Sequence, residues 1–192
     1  MKRKSKKKKR TGRTLLVLIL IGFGLFALIH FRQEILEALR PRVEKRVPPK
    51  EMREITLYFS DGEGEYLIGE KREILKKNVV KDEARETIIE LIKGPKGKLV
   101  PTLPPRTKLL TLQINDAGVA KVDFTPALSK DHPGGSSAEM MTVYSIVNSL
   151  VLNFPPIKRV QILIDGKPIE TLTGHLSLRK PVSPKLDLIQ RQ

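Results

Sequence analysis

The sequence predicts an α+β domain preceded by one transmembrane helix: a single, mostly antiparallel sheet with two helices packed on it, in the order β-β-α-β-β-α-β-β. Three observations carry this prediction. The run from Thr14 to Phe31 holds no formal charge, and a bilayer span needs roughly 20 apolar residues with a lower limit of about 17. Further on, short alternating apolar stretches are punctuated by turn signals at Asp61-Gly62-Glu63-Gly64, Asp116-Ala117-Gly118 and Asp165-Gly166. Between them, two stretches switch to a helical period, each with one apolar stripe to bury. One sheet covered by both stripes is the economical solution.

The chain divides by composition. Nine of residues 1–13 are Lys or Arg and none is acidic, a basic tail. Residues 14–31 form the span. A basic region before an apolar core also fits a cleaved signal peptide, but cleavage after Ala27 or Ala38 would put Leu25 or Leu36 where a small residue is expected. The uncleaved anchor is therefore the favoured reading. Positive flanks stay cytoplasmic, so the N-terminus is expected inside and the following domain outside the cytoplasmic membrane. The tail is expected to touch anionic lipid, at about 1 kcal/mol per basic residue near the surface. Residues 32–50 are a charged spacer stiffened by Pro41, Pro48 and Pro49, residues 51–182 the domain, and residues 183–192 a tail. Of the net charge of +15, the basic tail holds +9 and the spacer +3, which leaves a nearly balanced domain. No aromatic residue interrupts the lysine run to stack on bases, and no nucleic-acid partner is expected.

Within the domain, Ile55, Leu57 and Phe59 alternate in a half-buried strand, and Tyr66 to Ile74 makes the second. Asp82 is placed to cap a helix to about Lys93, with Gly94 just past its end and Pro95 blocking continuation. Lys108–Asn115 and Val119–Phe124 pair as a hairpin, and Thr125–Gly135 is an irregular loop. Ser136 and Glu139 then have the spacing of a capping box. The helix behind them runs to about Asn153, burying Met140, Val143, Tyr144, Val147, Leu150, Val151 and Phe154, before Pro155-Pro156 stops it. Arg159–Ile164 alternates as a strand, and Pro168–Leu172 reads as a short edge strand.

Catalytic signatures are absent. No cysteine is present, which excludes disulfides, thiolate metal sites and a lipidated cysteine. There is no H-E-x-x-H, no G-x-S-x-G and no Walker loop, and Gly94-Pro95-Lys96-Gly97-Lys98 lacks both the spacing and the hydroxyl of one. Tyr66 stands where a calcium loop through Asp61, Glu63 and Glu65 would need glycine. Asp123, His132 and His175 are the raw material for a general-base hydrolase, but solvated or structural roles are favoured. Neither a metal nor a cofactor is expected. Gly134-Gly135 before the capped helix could offer amides to an anion, although Glu139 would repel one.

In order along the chain stand Gly94-Pro95, Val122-Asp123-Phe124, Gly134-Gly135-Ser136, Phe154-Pro155, Ile164-Asp165-Gly166 and Gly174-His175. With these motifs the chain resembles the GerMN domain family, over roughly Glu54 to Pro181. The resemblance implies a small α+β module akin to ring-building motifs, with a non-enzymatic role in assembling envelope complexes of spore formers. Here a single copy stands behind an apolar helix, without the lipidated cysteine and second domain of the family's namesake. The expected function is a membrane-anchored, extracytoplasmic protein-interaction module, with envelope proteins as partners and self-association as one mode. A cell-wall glycan or peptide ligand is the alternative. The candidate binding residues are Asp123, Gly134, Gly135, Ser136, Glu139 and His175, and no catalytic residue is expected.

Overall fold

A computed structural model of the chain describes residues 8–39 and 51–190. The basic residues before Lys8 and the spacer from 40 to 50 lie outside them. The chain forms two compact units, Met1–Pro48 and Pro49–Gln192. In the first, α1 (Lys8–His30) precedes a short α2 (Arg32–Leu39). The segment Arg13–His30 of α1 is long and apolar enough to cross a membrane, and Leu16, Leu18, Phe23 and Ile29 all point outward. A helix of this length and composition near the N-terminus fits a membrane anchor or a signal sequence.

The second unit has the expected α+β order, with β1 (Met52–Ser60), β2 (Leu67–Leu75), α3 (Val80–Ile92), β3 (Leu109–Ile114), β4 (Val119–Phe124), α5 (Ser136–Val151), β5 (Arg159–Ile164) and β6 (Lys167–Pro168). One turn of helix, α4 (Ala127–Lys130), lies within the loop before α5. The strands divide between two sheets: an antiparallel β1–β2 ribbon and a four-stranded sheet ordered β3-β4-β5-β6. All pairings are antiparallel except β4 with β5. That exception follows from connectivity, because a strand–helix–strand crossover returns the second strand parallel to the first. β4 sits in the middle and is buried at five of its six positions.

The core gathers Ile55, Leu57 and Phe59 of β1, Ile88 and Leu91 of α3, Val122 and Phe124 of β4, and Ile146, Val147 and Leu150 of α5. Each such side chain, fully buried, contributes about 1.5–3 kcal/mol. The turn signals behave as expected. Asp165 and Gly166 both take positive φ, +48° and +75°, as a two-residue turn of mirror-image type requires. Gly118 turns the β3–β4 hairpin at φ +70°, and a Cβ there would meet the Pro156 carbonyl at 2.8 Å. Gly118→Ala should therefore cost roughly 1–2 kcal/mol in a thermal melt, from backbone strain and displacement of the Pro156 turn; an unchanged melting temperature would contradict this contact.

Three local expectations are corrected. Asp82 does not cap α3: it lies within the first turn, and Val79 at the N-cap position makes no side-chain bond. The strand expected over Pro168–Leu172 ends at Pro168, because the Leu172 amide turns away to the Glu139 carboxylate, 2.8 Å distant. Nor does α5 bury a single stripe. Thr142, Ser145, Asn148 and Ser149 are buried along with Met141, Val143, Ile146, Val147 and Leu150.

The polar face of α5 is buried against a strand edge. In a two-stranded ribbon the outer edge of β1 has no neighbouring strand, and its outward groups need other partners. Asn153 supplies them at Thr56, its Oδ1 accepting from the amide at 2.9 Å and its Nδ2 donating to the carbonyl at 2.7 Å. At Tyr58 the amide donates to Ser149 Oγ at 3.0 Å, and Ser145 Oγ donates to the carbonyl at 2.5 Å. Ser60 pairs with Val100 in both directions, at 3.3 and 2.9 Å. Ser145, Ser149 and Asn153, four residues apart, thus replace a third strand. Residues beyond 182 also lie on the domain: the Lys185 main chain bonds Asn148 in both directions, and the Gln190 amide donates to Leu67.

Candidate functional site: a cleft at the start of the central helix

Where α5 begins, three segments distant in sequence enclose a cleft of about 530 Å³. Its walls are the β1–β2 turn (60–64), the proline-rich stretch 100–105, and residues from Asp131 to Thr142. Prolines at 101, 104, 105 and 133, with Val100, Leu103, Ala138 and Met141, make most of the surface apolar.

A chain of hydroxyls fixes this architecture. Thr102 Oγ1 lies 2.6 Å from Ser145 Oγ, and Thr142 Oγ1 donates to the Thr102 carbonyl at 2.5 Å. His132 Nδ1 accepts from the Gly134 amide at 3.0 Å, which leaves the ring proton on Nε2, 3.0 Å from Thr142 Oγ1. Burial lowers the His132 pKa, with the Glu139 carboxylate opposing it, so the ring is neutral near pH 7. Arg106 grips the Asp131 carboxylate through two nitrogens, at 2.9 and 2.6 Å.

The anticipated site residues fall partly beside this cleft. Gly134 and Gly135 adopt φ +84° and +87° and bring the chain into α5, so their conformational freedom is used. Ser136 is exposed and makes no capping bond; Gly135 is the N-cap residue. The capping box is thus absent, and Glu139 points inward instead. Its buried carboxylate accepts from the amides of Leu172, Thr173 and His175 at 2.8, 3.2 and 2.8 Å, and from the Thr173 hydroxyl at 2.9 Å. Burial alone would raise its pKa, but these four donors outweigh it and hold the carboxyl below the ordinary glutamate value. His175 joins the group only through its main chain. Asp123 serves a different corner, where Oδ1 accepts from the Gly166 amide at 2.8 Å and holds the β5–β6 turn. No hydrogen bond among the described residues links Asp123, His132 and His175, so the acid–base trio is not assembled.

The Gly94–Lys98 loop repeats the device. Glu70 accepts from the amides of Lys96 and Gly97 at 3.0 and 3.3 Å, and the buried Arg72 guanidinium is paired with Glu70 and Glu90 and donates to the Gly94 carbonyl. A loop whose composition resembles a phosphate cradle is already filled by an internal carboxylate. Sequence reasoning missed the cleft's other walls, the β1–β2 turn and the 100–105 stretch. The first was marked in advance only as a turn signal, the second only by its prolines.

The family model described as Germane, sporulation and spore germination, matches residues 56–170, more than half of the chain. The chain belongs to this family. Among solved structures, a protein of Clostridium perfringens assigned as a lipoprotein shares 28% identity at a TM-score of 0.51, covering 69% of this chain and 87% of its own. The first GerMN domain of the sporulation protein GerM from Bacillus subtilis superposes at a TM-score of 0.55 with 20% identity, over 68% of this chain and 97% of that domain. The tandem GerMN domains of the same protein give 0.54 at 19% identity, over 71% of this chain and 48% of the pair. The two GerM structures show a shared fold, in which this chain holds one GerMN-like module. No curated protein matches the chain.

Proposed function

We propose that the Germane domain is a membrane-anchored, extracytoplasmic protein-interaction module that supports assembly of a cell-envelope complex in sporulation or germination. The observation that carries this reading is the cleft, an apolar trough with a fixed hydroxyl floor, built from three segments braced against α5. Such surfaces suit a side-chain-bearing segment of another protein. Its lining contains no aromatic ring on which a sugar could stack, which favours a polypeptide over a glycan. The apolar α1 supplies the tether, and the family supplies the sporulation and germination context. Neither α5 nor the last strand offers a comparable surface: α5 exposes Ser136 and Ser137, and the last strand is two residues long.

Because the chain has no cysteine, one introduced residue is a unique handle. Ser137→Cys in the full-length, membrane-held protein, carrying a photo-reactive thiol probe, should link to one envelope protein reproducibly. Lys121→Cys, exposed on β4, should not. Identical adducts from both positions, or adducts at Ser137→Cys with lipid alone, would count against the cleft as the docking surface.

A further inference from the structure

The charged residues that line the cleft are all acidic. The domain is nearly balanced in charge once the basic tail and spacer are set aside, yet the cleft lining holds three acidic residues, Asp61, Glu63 and Asp131, and no Lys or Arg. Asp131 is already neutralised by Arg106. Asp61 and Glu63 have no ion-pair partner among the described residues; Asp61 Oδ1 accepts only from the Glu65 amide at 3.0 Å, across the turn. Two uncompensated carboxylates therefore border an apolar trough whose opposite walls are proline rings and the Met141 side chain. An entering cation is attracted to both, Asp61 at a half-buried and Glu63 at an exposed position, and salt screens that attraction. An acidic segment would meet repulsion from the same groups. Pro101, Pro104 and Pro105 lack amide hydrogens, and the Val100 main chain is already paired with Ser60, so this wall offers few free amides and contact comes mainly from side chains.

We infer that the cleft selects an extended partner segment carrying a Lys or Arg beside apolar residues, the cation at Asp61 and Glu63 and the apolar side chains against the proline wall. This rests on the cleft being the docking surface proposed above, and it adds the chemistry of the occupant. The neutral His132 brace and the Arg106–Asp131 pair shape the far side and contribute no attraction for an anion.

The test uses the full-length protein in nanodiscs of zwitterionic lipid, applied to an array of random-sequence dodecapeptides. Retained peptides should be enriched at least about threefold in Lys or Arg adjacent to Val, Leu or Ile, and retention should weaken as salt screens the pair. Asp61→Asn combined with Glu63→Gln should abolish that enrichment. Asparagine keeps an oxygen for the Glu65 amide, so the turn persists and unchanged circular dichroism verifies it. An Ala138→Trp variant, which fills the trough, should lose retention altogether. Peptides retained without charge preference, yet lost on Ala138→Trp, would overturn the basic-segment inference while leaving the docking cleft standing. If the native chain retains none, or if Ala138→Trp retains as many, both readings fail. Cross-linking that places the chain's own residues 40–50 in the cleft would overturn the inference of a separate partner.

Discussion

Replacing Glu139 with glutamine is expected to lower the melting temperature of the domain by roughly 10 °C. The carboxylate is buried and accepts four hydrogen bonds from the 172–175 segment, with no ion-pair partner among the described residues. Hydrogen bonds to a charged acceptor contribute about 1.5–3 kcal/mol each, and a carboxamide offers one oxygen while turning an NH₂ toward amide donors. At least one donor is then left buried and unpaired, for a net loss of about 3 kcal/mol. The pH dependence gives a second handle. Because the folded carboxyl titrates below its ordinary value, its stabilisation is complete above the unfolded pKa and disappears as pH falls through the folded one. The gap between wild type and Glu139→Gln should be widest near neutrality and close as pH drops below the ordinary glutamate range. A constant gap down to pH 3, or a variant melting within about 2 °C of wild type, would show that the carboxylate does not hold this segment.

Glu139 also shows where a sequence stops being readable. Ser136 and Glu139 have the spacing of a capping box, and locally nothing contradicts it. The competing donors come from 33 to 36 residues further on, a long-range contact with no local trace. Features governed by neighbouring residues were legible: the Asp165-Gly166 turn, the strand of Arg159–Ile164 and the helix stop before Pro155 stand where the pattern put them. The split into two sheets was not, since alternation reports which face of a strand is buried and not which strand lies beside it. The cleft was half legible. Gly134-Gly135 marked the start of α5, one wall, but the turn at 60–64 and the stretch at 100–105 meet it only through hydroxyl bonds between distant segments. The serines of α5 were the least legible of all. At positions 145 and 149 they read as the solvent face of an amphipathic helix, and in the structure they close a strand edge.

That edge yields the second large effect. Asn153→Ala should destabilise the domain by about 2–3 kcal/mol, because the amide and carbonyl of Thr56 and the carbonyl of Ser149 lose a partner together. Water can reach part of the vacated space at this half-buried position, which keeps the loss below that of a sealed site. Asn153→Asp separates the two halves of the clamp. It retains an acceptor for the Thr56 amide but sets an anion against the Thr56 carbonyl, so its penalty should grow as pH rises from 4 to 7. Ser149→Ala, which removes one acceptor from Tyr58, should cost only about 1 kcal/mol. Loosening the clamp also exposes unpaired backbone on β1, and such an edge recruits other strands. Light scattering of the Asn153→Ala protein in detergent should therefore show concentration-dependent association below its melting temperature, whereas Ser149→Ala remains monodisperse. Equal stability of wild type and Asn153→Ala would mean that water satisfies the Thr56 edge as well as the side chain does. The polar stripe of α5 would then have to be explained by something other than closing β1.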